Sequence, residues 1–185
     1  MVKRITKENA VLIVVDLQER LFPAMAEREI VEPKCAKLIE GARLFKLPII
    51  VTEQYPKGLG PTTPDILAAL GDQENCTIIP KAAYSVMEDP AVVEALEATG
   101  RKTVLLCGIE GHVCVQQTAL DLLARGYDVF LVQDCISSRS LTDLTYARAR
   151  MAESGVISTT MESALFELCV TSKAPEFKAL SALVK

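Results

Sequence analysis

The stretch Ala10-Val11-Leu12-Ile13-Val14-Val15-Asp16 places six apolar side chains in succession before a carboxylate. Apolar residues at consecutive positions are typical of a strand buried on both faces, as in a parallel sheet that helices cover. Similar short runs recur, and together they predict six strands: Val11 to Val15, Pro48 to Thr52, Thr77 to Ile79, Thr103 to Cys107, Asp128 to Val132 and Val156 to Thr159.

Apolar residues at helical spacing separate the predicted strands. The pattern predicts four helices, Ile30 to Phe45, Pro90 to Ala98, Val115 to Ala124 and Leu141 to Ala152, and a final helix or partner contact within the amphipathic Thr171 to Lys185. Glycines typical of helix ends stand at Gly41, Gly100, Gly126 and Gly155. The alternation of strands and helices predicts a three-layer α/β/α fold with right-handed crossovers.

Composition limits the possible functions. Half of the 185 residues are hydrophobic and 24% are charged, so we expect one well-packed domain over residues 1–185. The net charge of −4 and the lack of a basic tract argue against a nucleic-acid partner. The first apolar run is too short for an export signal, and none approaches the ~18 residues of a membrane span, so no membrane association is expected.

The cysteines and the single histidine bear on location and cofactors. Six scattered cysteines without a C-x-x-C pair favour free thiols and a cytoplasmic location. One histidine is too few for a multi-histidine zinc site, so no metal is expected. The spacing of Gly108 and Gly111 matches neither a P-loop nor a dinucleotide fingerprint, so no cofactor is expected.

In open parallel sheets, ligands bind beyond the carboxyl ends of the strands. The residues that follow the predicted strands are Asp16, Glu53, Lys81, the stretch Gly108 to Cys114 and the stretch Asp134 to Arg139. A stretch rich in proline and glycine, Gln54 to Pro64, predicts a rigid loop on this ligand side.

Cys114 is the candidate nucleophile, because it stands in a short loop that opens the helix Val115 to Ala124. A helix N-terminus stabilises a thiolate, so we expect a lowered pKa at Cys114. The alternative is a small buried hydrophobe, which is the usual state of a free cysteine. Cys107 and Cys135 compete for the role, but Cys107 ends a strand and Cys135 has no evident activating group. We expect packing roles for the remaining three, Cys35, Cys76 and Cys169.

Three further residues have two interpretations each. Asp16 is a candidate acid or base at the end of an apolar strand, and equally a candidate N-cap for the turn Gln18 to Phe22. Lys81 follows the third strand, although a lone lysine is usually a solvated one. His112 stands two residues before Cys114 and should not face it, so we favour a pocket-lining or loop role.

Three segments resemble the signature segments of the isochorismatase-like cysteine hydrolases. They are residues 11–18 (VLIVVDLQ), residues 80–85 (PKAAYS) and residues 108–115 (GIEGHVCV). Residues 52–62 (TEQYPKGLGPT), 105–110 (LLCGIE) and 137–140 (SSRS) are similar to the isochorismatase domain-containing subgroup. The resemblance covers nearly the whole chain.

The resemblance implies a Rossmann-like, six-stranded parallel sheet of order 3-2-1-4-5-6, which brings Asp16 near Cys114. It also implies a triad, in which Asp16 is the general base, Lys81 supports the charge balance and Cys114 attacks a carbonyl to form a thioester. The oxyanion would lie against the backbone N–H groups of Glu110 and Cys114. A cis peptide bond is implied between Ile109 and Glu110.

Two departures narrow the expected activity. Metal-using nicotinamidases of this superfamily place an Asp and two His after the second strand, where this chain has Glu53-Gln54-Tyr55. Isochorismatases proper lack the nucleophilic cysteine that stands here at Cys114. The sequence therefore disfavours both nicotinamide and isochorismate as substrates.

The leading hypothesis is a thiol-dependent hydrolase of a small amide or related carbonyl compound. The candidate substrate-binding residues are Glu53, Tyr55, His112 and Arg139. The alternative is an oligomeric scaffold that retains the hydrolase fold. Nuclease activity, known for some relatives, is disfavoured by the acidic charge and by the lack of a predicted metal site. The apolar content and the amphipathic tail predict a homo-oligomer.

Overall fold

The structure is a computed structural model and describes residues 2–72 and 75–185. Its strands are β1 (Ala10–Val15), β2 (Ile49–Gln54), β3 (Cys76–Lys81), β4 (Thr103–Gly108), β5 (Asp128–Ile136) and β6 (Ile157–Thr159). Within the described residues they form one parallel sheet in the order β3-β2-β1-β4-β5-β6.

Helices follow the strands along the chain. They are α1 (Arg28–Leu44), α2 (Pro56–Leu59), α3 (Pro64–Leu70), α4 (Pro90–Ala98), α5 (Gln116–Ala124), α6 (Leu141–Glu153), α7 (Met161–Cys169) and α8 (Phe177–Leu183). Side chains of α1, α3, α7 and α8 form the core on one face of the sheet, and side chains of α4, α5 and α6 form the core on the other. The predicted three-layer α/β/α fold and strand order are therefore confirmed.

The position of β1 between two layers of helices explains why its residues are apolar at every position. Leu12 and Val14 belong to the core that contains α1, whereas Val11, Ile13 and Val15 belong to the core that contains α5. All five side chains are buried, because successive residues of a strand point to opposite faces and helices cover both.

The expectation of a loop over Gln54 to Pro64 is wrong in part. In addition, the helices α3 and α7 lie where the sequence predicted no helix. The stretch contains α2, and Pro64 is the first residue of α3. Proline is compatible with the first helical position, because its missing N–H has no partner there in any case. The C-terminal helix is confirmed, although it is limited to α8.

The prediction of a helix end is also wrong for one of the four glycines. Gly41 lies inside α1, where a Cβ would collide with the Leu165 side chain of α7. This glycine allows two helices to approach closely and ends neither of them. Gly100, Gly126 and Gly155 do follow α4, α5 and α6, with positive φ angles of 65°, 80° and 106°.

Candidate active site

The site lies where β1 and β4 run side by side and the strand order changes direction. Val15, the last residue of β1, is paired with Gly108, the last residue of β4. Gly108 has a φ of 116°, and a Cβ on it would collide with the backbone of Val15. Only glycine therefore allows the two strand ends to approach this closely. The chain leaves β1 at Asp16 in the left-handed conformation, with a φ of 53°, which aspartate tolerates better than most residues.

A buried ammonium group joins the three residues of the implied triad. Lys81 Nζ lies 2.7 Å from Asp16 Oδ2 and 3.8 Å from Cys114 Sγ. The side chains of Asp16 and Lys81 are 0% exposed, and Cys114 is 6% exposed. Buried charges are tolerated only when they are paired, so the carboxylate and the ammonium depend on each other. The fold thus brings together residues that are 98 positions apart at the extremes.

Two residues of β2 hold the ion pair, and the sequence analysis did not single them out as candidates. Thr52 Oγ1 donates to Asp16 Oδ1 at 2.7 Å, and Lys81 Nζ donates to Gln54 Oε1 at 2.6 Å. The ammonium also donates to two backbone carbonyls of the segment after β3, at 3.1 and 3.4 Å. The signal that could have found Thr52 and Gln54 is a polar side chain at the buried end of an apolar strand.

The expectation of a lowered pKa at Cys114 is wrong. Burial raises the pKa of the Cys114 thiol to about 12; the positive charge of Lys81 opposes this shift, and the negative charge of Asp16 adds to it. Cys114 lies in a wide helical turn, Gly111–Val115, ahead of α5. The free-energy cost of withdrawing a thiolate from water there exceeds the stabilisation that the helix end and one ammonium group provide. The resting thiol therefore keeps its proton at neutral pH.

Glu110 presents both its backbone and its carboxylate at this edge of the sheet. The Ile109–Glu110 peptide bond is cis, as the resemblance implied. The backbone N–H of Glu110 donates to the sulfur of Cys114, which lowers the pKa of the thiol in opposition to burial. The Glu110 carboxylate accepts hydrogen bonds from the backbone N–H and from Nε of Arg139, at 3.1 and 3.0 Å. The Arg139 side chain is 63% exposed, so its guanidinium reaches solvent.

The other predicted substrate-binding residues lie in the loops around the strand ends. Glu53 Oε1 accepts hydrogen bonds from the backbone N–H and the hydroxyl of Thr62, at 2.7 and 2.8 Å. His112 Nδ1 lies 3.0 Å from Ser138 Oγ, which agrees with the predicted loop role. Tyr55 is exposed at the start of α2. Glu53 and His112 therefore fasten these loops, and Tyr55 presents a ring to solvent.

Three properties of the described residues complete this description. All six cysteines are free thiols. No group of three or more His, Cys, Asp or Glu side chains within residues 2–72 and 75–185 is placed to hold a metal ion. No helix in the described part of the chain is long and apolar enough to cross a membrane.

Comparison with known sequences points to a family. The family model of the isochorismatase domain matches residues 10–163. Isochorismatase domain-containing protein 1 of Salmo salar is 41% identical over 178 residues, which are 96% of this chain and 61% of that protein. The chain thus spans less than two thirds of that relative's length. Isochorismatase domain-containing protein 2 of Danio rerio is 38% identical over 182 residues, 98% of this chain and 89% of that protein.

Solved structures share the fold over the whole chain. The MAR1 ribonuclease of Caenorhabditis elegans superposes with a TM-score of 0.92 at 41% identity, covering 98% of this chain and 92% of that one. YcaC from Pseudomonas aeruginosa, solved with hexane-2,5-diol and covalent acrylamide, has a TM-score of 0.92 at 26% identity, covering 100% and 91%. The YcaC gene product of Escherichia coli, an octameric hydrolase of unknown specificity, has a TM-score of 0.92 at 26% identity, covering 99% and 90%.

Proposed function

The chain belongs to the isochorismatase family and has its hydrolase fold, and on this premise we propose that it hydrolyses a small amide or related carbonyl compound through Cys114, Asp16 and Lys81. One observation carries the proposal. A single buried ammonium group lies 2.7 Å from the carboxylate of Asp16 and 3.8 Å from the sulfur of Cys114, at the edge of the sheet where such folds bind ligands.

The first step is removal of the thiol proton. A pKa raised to about 12 describes loss of the Cys114 proton to solvent. Transfer of that proton to Asp16 keeps the net charge of the site constant, because a thiolate replaces a carboxylate beside Lys81. The thiolate sulfur then attacks the substrate carbonyl carbon, and the carbonyl oxygen becomes an oxyanion. The backbone N–H groups of Glu110 and Cys114 are the proposed donors to this oxygen.

The second step breaks the bond to the leaving group. Protonated Asp16 gives its proton to the departing amine, the C–N bond breaks, and the acyl group stays on Cys114 as a thioester. Asp16 then accepts a proton from water, whose oxygen attacks the thioester carbonyl. The thiol leaves with the proton from Asp16, and a carboxylic acid is released. Lys81 remains charged throughout and offsets whichever neighbour is the anion.

The substrate class rests on the surroundings of Cys114. The small exposed fraction of Cys114 favours a compact substrate that reaches the thiol past the surrounding loops. The proposed substrate-binding residues are Glu53, Tyr55, His112 and Arg139. Tyr55 and Arg139 are exposed, whereas Glu53 and His112 are partly buried. The covalent acrylamide in the Pseudomonas aeruginosa structure supports a nucleophile that a small molecule can reach, since acrylamide forms covalent bonds with thiols through its vinyl carbon.

The test is a screen of small amides with wild-type protein and the Cys114→Ala variant. We expect turnover of at least one amide by wild type, loss of that turnover in Cys114→Ala, and an acyl adduct on Cys114 by mass spectrometry under single-turnover conditions. Cys76→Ala is the matched control, because Cys76 is the first residue of β3 whereas Lys81 is the last. Turnover that survives in folded Cys114→Ala would refute the proposal.

Ribonuclease activity is a second candidate, favoured by the 41% identity to the Caenorhabditis elegans protein named as a ribonuclease. The net charge of −4 opposes the binding of a polyanion. Incubation of a labelled RNA with wild type and Asp16→Asn distinguishes the two functions. If wild type cleaves RNA and Asp16→Asn does not, ribonuclease activity would replace amide hydrolysis as the proposed function. Failure of both assays, with Cys114 unreactive towards acrylamide, would favour the oligomeric scaffold.

We propose a homo-oligomer in a reducing, cytoplasmic compartment. The octameric state of the Escherichia coli relative supports the assembly, and the six free thiols support the compartment. Exposed Leu141 and Tyr146 on α6 provide apolar surface for a contact between copies. Light scattering at micromolar concentration should give a multiple of 20.1 kDa, and a mass of 20.1 kDa itself would contradict the assembly.

A further inference from the structure

The Lys81 ammonium group lies far from the strand that carries it. Lys81 ends β3, the outermost strand, whereas Asp16 follows β1 and Cys114 follows β4. The lysine side chain must therefore extend across the end of β2. The residue of β2 that is paired with Lys81 is Gln54. Gln54 is thus the first candidate for holding the ammonium group in place.

The hydrogen bonds of the ammonium group differ in length. Among the described residues, five acceptors contact Lys81 Nζ, which has three N–H groups. They are Gln54 Oε1 at 2.6 Å, Asp16 Oδ2 at 2.7 Å, two backbone oxygens after β3 at 3.1 and 3.4 Å, and Cys114 Sγ at 3.8 Å. The contact with sulfur is the longest of these, so the shorter ones determine where the ammonium group lies relative to the thiol.

The Gln54 side chain is oriented by a second hydrogen bond. Its Nε2 donates to the backbone carbonyl oxygen of Ala82 at 2.7 Å. A carbonyl oxygen only accepts, so the amide nitrogen of Gln54 faces Ala82 and the amide oxygen faces the ammonium group. The shortest contact of Lys81 is therefore with a neutral acceptor. It holds the ammonium group without compensating its charge, which stays available to the carboxylate and the thiol.

A second, fully buried glutamine fixes the backbone of Gln54. The pairing of β1 with β2 ends at Thr52, two residues earlier. Beyond it the Gln18 side chain takes the place of a strand, because its Oε1 accepts from the backbone N–H of Gln54 at 2.7 Å and its Nε2 donates to the Gln54 carbonyl oxygen at 3.0 Å. The same Nε2 donates to the carbonyl oxygen of Gly60 at 2.7 Å. Gln18 is 0% exposed, so its amide has no alternative partner in water.

We propose that Gln18 is a positioning residue for the ammonium group of Lys81, on which it acts through Gln54. This assignment rests on the proposed function for the role of the ammonium group beside Asp16 and Cys114. Displacement of the Gln54 backbone requires that both hydrogen bonds to Gln18 break. A displaced Gln54 no longer offers its amide oxygen to the ammonium group, so loss of either glutamine side chain has the same consequence.

That consequence is a change in the reactivity of Cys114. The positive charge of Lys81 lowers the pKa of the Cys114 thiol, and the negative charge of Asp16 raises it. The Lys81 side chain is 0% exposed, so water does not replace a lost hydrogen bond. The ammonium group then lies less firmly beside the thiol and is less well stabilised as a cation. Its effect on the thiol weakens, and the thiolate becomes harder to form.

The test is the rate at which iodoacetamide alkylates Cys114, followed by mass spectrometry as a function of pH. In Gln18→Met and in Gln54→Met we expect the pKa of the Cys114 thiol to rise by roughly half a unit to one unit, which slows alkylation at a fixed neutral pH by about three- to tenfold. The double variant should be hardly slower than either single variant, because both substitutions remove the same contact.

The matched control is Gln133→Met. Gln133 is on β5, and its amide donates to the hydroxyl of Ser158 on β6 at 2.9 Å. We expect alkylation of Cys114 at the wild-type rate in this variant. A merely structural role of Gln18 would lower the free energy of unfolding and leave the pH profile of the folded protein unchanged, so the profile separates the two roles.

Two results would overturn the proposal. One is alkylation at the wild-type rate in a folded Gln18 variant or in Gln54→Met, and the other is a double variant whose effect is the sum of the single effects. If Gln18→Met does not fold, Gln18→Asn replaces it, because that amide is one methylene too short to reach the Gln54 backbone. Alkylation needs no amide substrate, so either result would leave the hydrolase function to its own test with Cys114→Ala.

Discussion

A single buried thiol, Cys114, lies on one face of the sheet, and a cluster of three buried thiols lies on the other. Their surroundings differ. Cys114 belongs to the core that contains α5 and lies beside the ammonium of Lys81 and the carboxylate of Asp16. The thiol cluster of Cys35, Cys107 and Cys135 belongs to the core that contains α1, where sulfur meets other thiols and a carbonyl oxygen.

The pKa of Cys114 and the pKa of Cys35 shift in opposite directions. The pKa of Cys114 rises to about 12, chiefly through burial, although a cation is beside it. The pKa of Cys35 falls to about 6, through hydrogen bonds from Cys107 and Cys135, although no cation is a cause of the shift. Burial is common to both groups, so it cannot explain the difference. Carboxylates raise the pKa of both thiols, so the difference comes from the thiol donors that stabilise the Cys35 anion.

The largest expected effect tests whether the charged surroundings of Cys114 serve chemistry. Asp16→Asn retains the shape and the tolerance for the left-handed backbone but cannot accept a proton. We expect turnover of an amide found by the screen to fall by roughly 10²- to 10⁴-fold, with folding confirmed by circular dichroism. Asp16→Asn combined with Cys114→Ala should be hardly slower than Cys114→Ala alone, because the two residues act as a unit. Near-normal turnover in folded Asp16→Asn would make Glu110 or His112 the next candidate base.

The second prediction compares how much the ion pair beside Cys114 and the thiol cluster each contribute to the free energy of unfolding. Lys81→Met leaves the Asp16 carboxylate buried without its cation, so the free energy of unfolding should fall by about 3–5 kcal/mol. Cys107→Ala removes one fully buried sulfur from the uncharged cluster and should cost only about 1 kcal/mol. Denaturant titration of both variants measures the contrast.

A double variant checks the cause of this loss. Asp16→Asn with Lys81→Met removes both charges and should recover part of the stability that Lys81→Met loses. Equal losses of unfolding free energy in Lys81→Met and Cys107→Ala would mean that breaking the buried ion pair costs no more than removing an uncharged buried side chain.

The smallest expected effect concerns the titration of Cys114 itself. Asp16 raises the pKa of the Cys114 thiol, so Asp16→Asn should lower that pKa by roughly one to three units. In wild type the alkylation rate should keep increasing with pH through the neutral range, because the raised pKa keeps the thiol protonated there. In Asp16→Asn the rate should level off at lower pH.

The matched control for this titration is Cys35→Ala, which changes the opposite face of the sheet. It should leave the pH dependence of Cys114 alkylation where it is in wild type, as followed by mass spectrometry of the Cys114 peptide. A pKa that rises in Asp16→Asn would show that Asp16 is not the anion that opposes the thiolate.

Much of the fold could be predicted from local patterns. The apolar run in β1 and the stripe in α1 are dictated by which faces must be buried, and burial is written directly into the order of side chains. Length alone does not explain why α3 and α7 were missed, because α7 has nine residues, as do the predicted helices α4 and α5. The seven residues of α3 follow a stretch rich in proline and glycine, whose turn signals outweighed the short apolar pattern. That residues 1–185 form a single domain stays a prediction.

The sequence by itself determined the six strands, the main helices and, through a family resemblance, the three residues Asp16, Lys81 and Cys114 of the candidate site. Only the tertiary structure decided that Thr52 and Gln54 hold the ion pair, that Gly41 receives Leu165, and that Cys114 has a raised pKa. The physical reason is that hydrogen bonds, helix contacts and desolvation depend on distances between residues remote in sequence. Local periodicity contains no information about those distances.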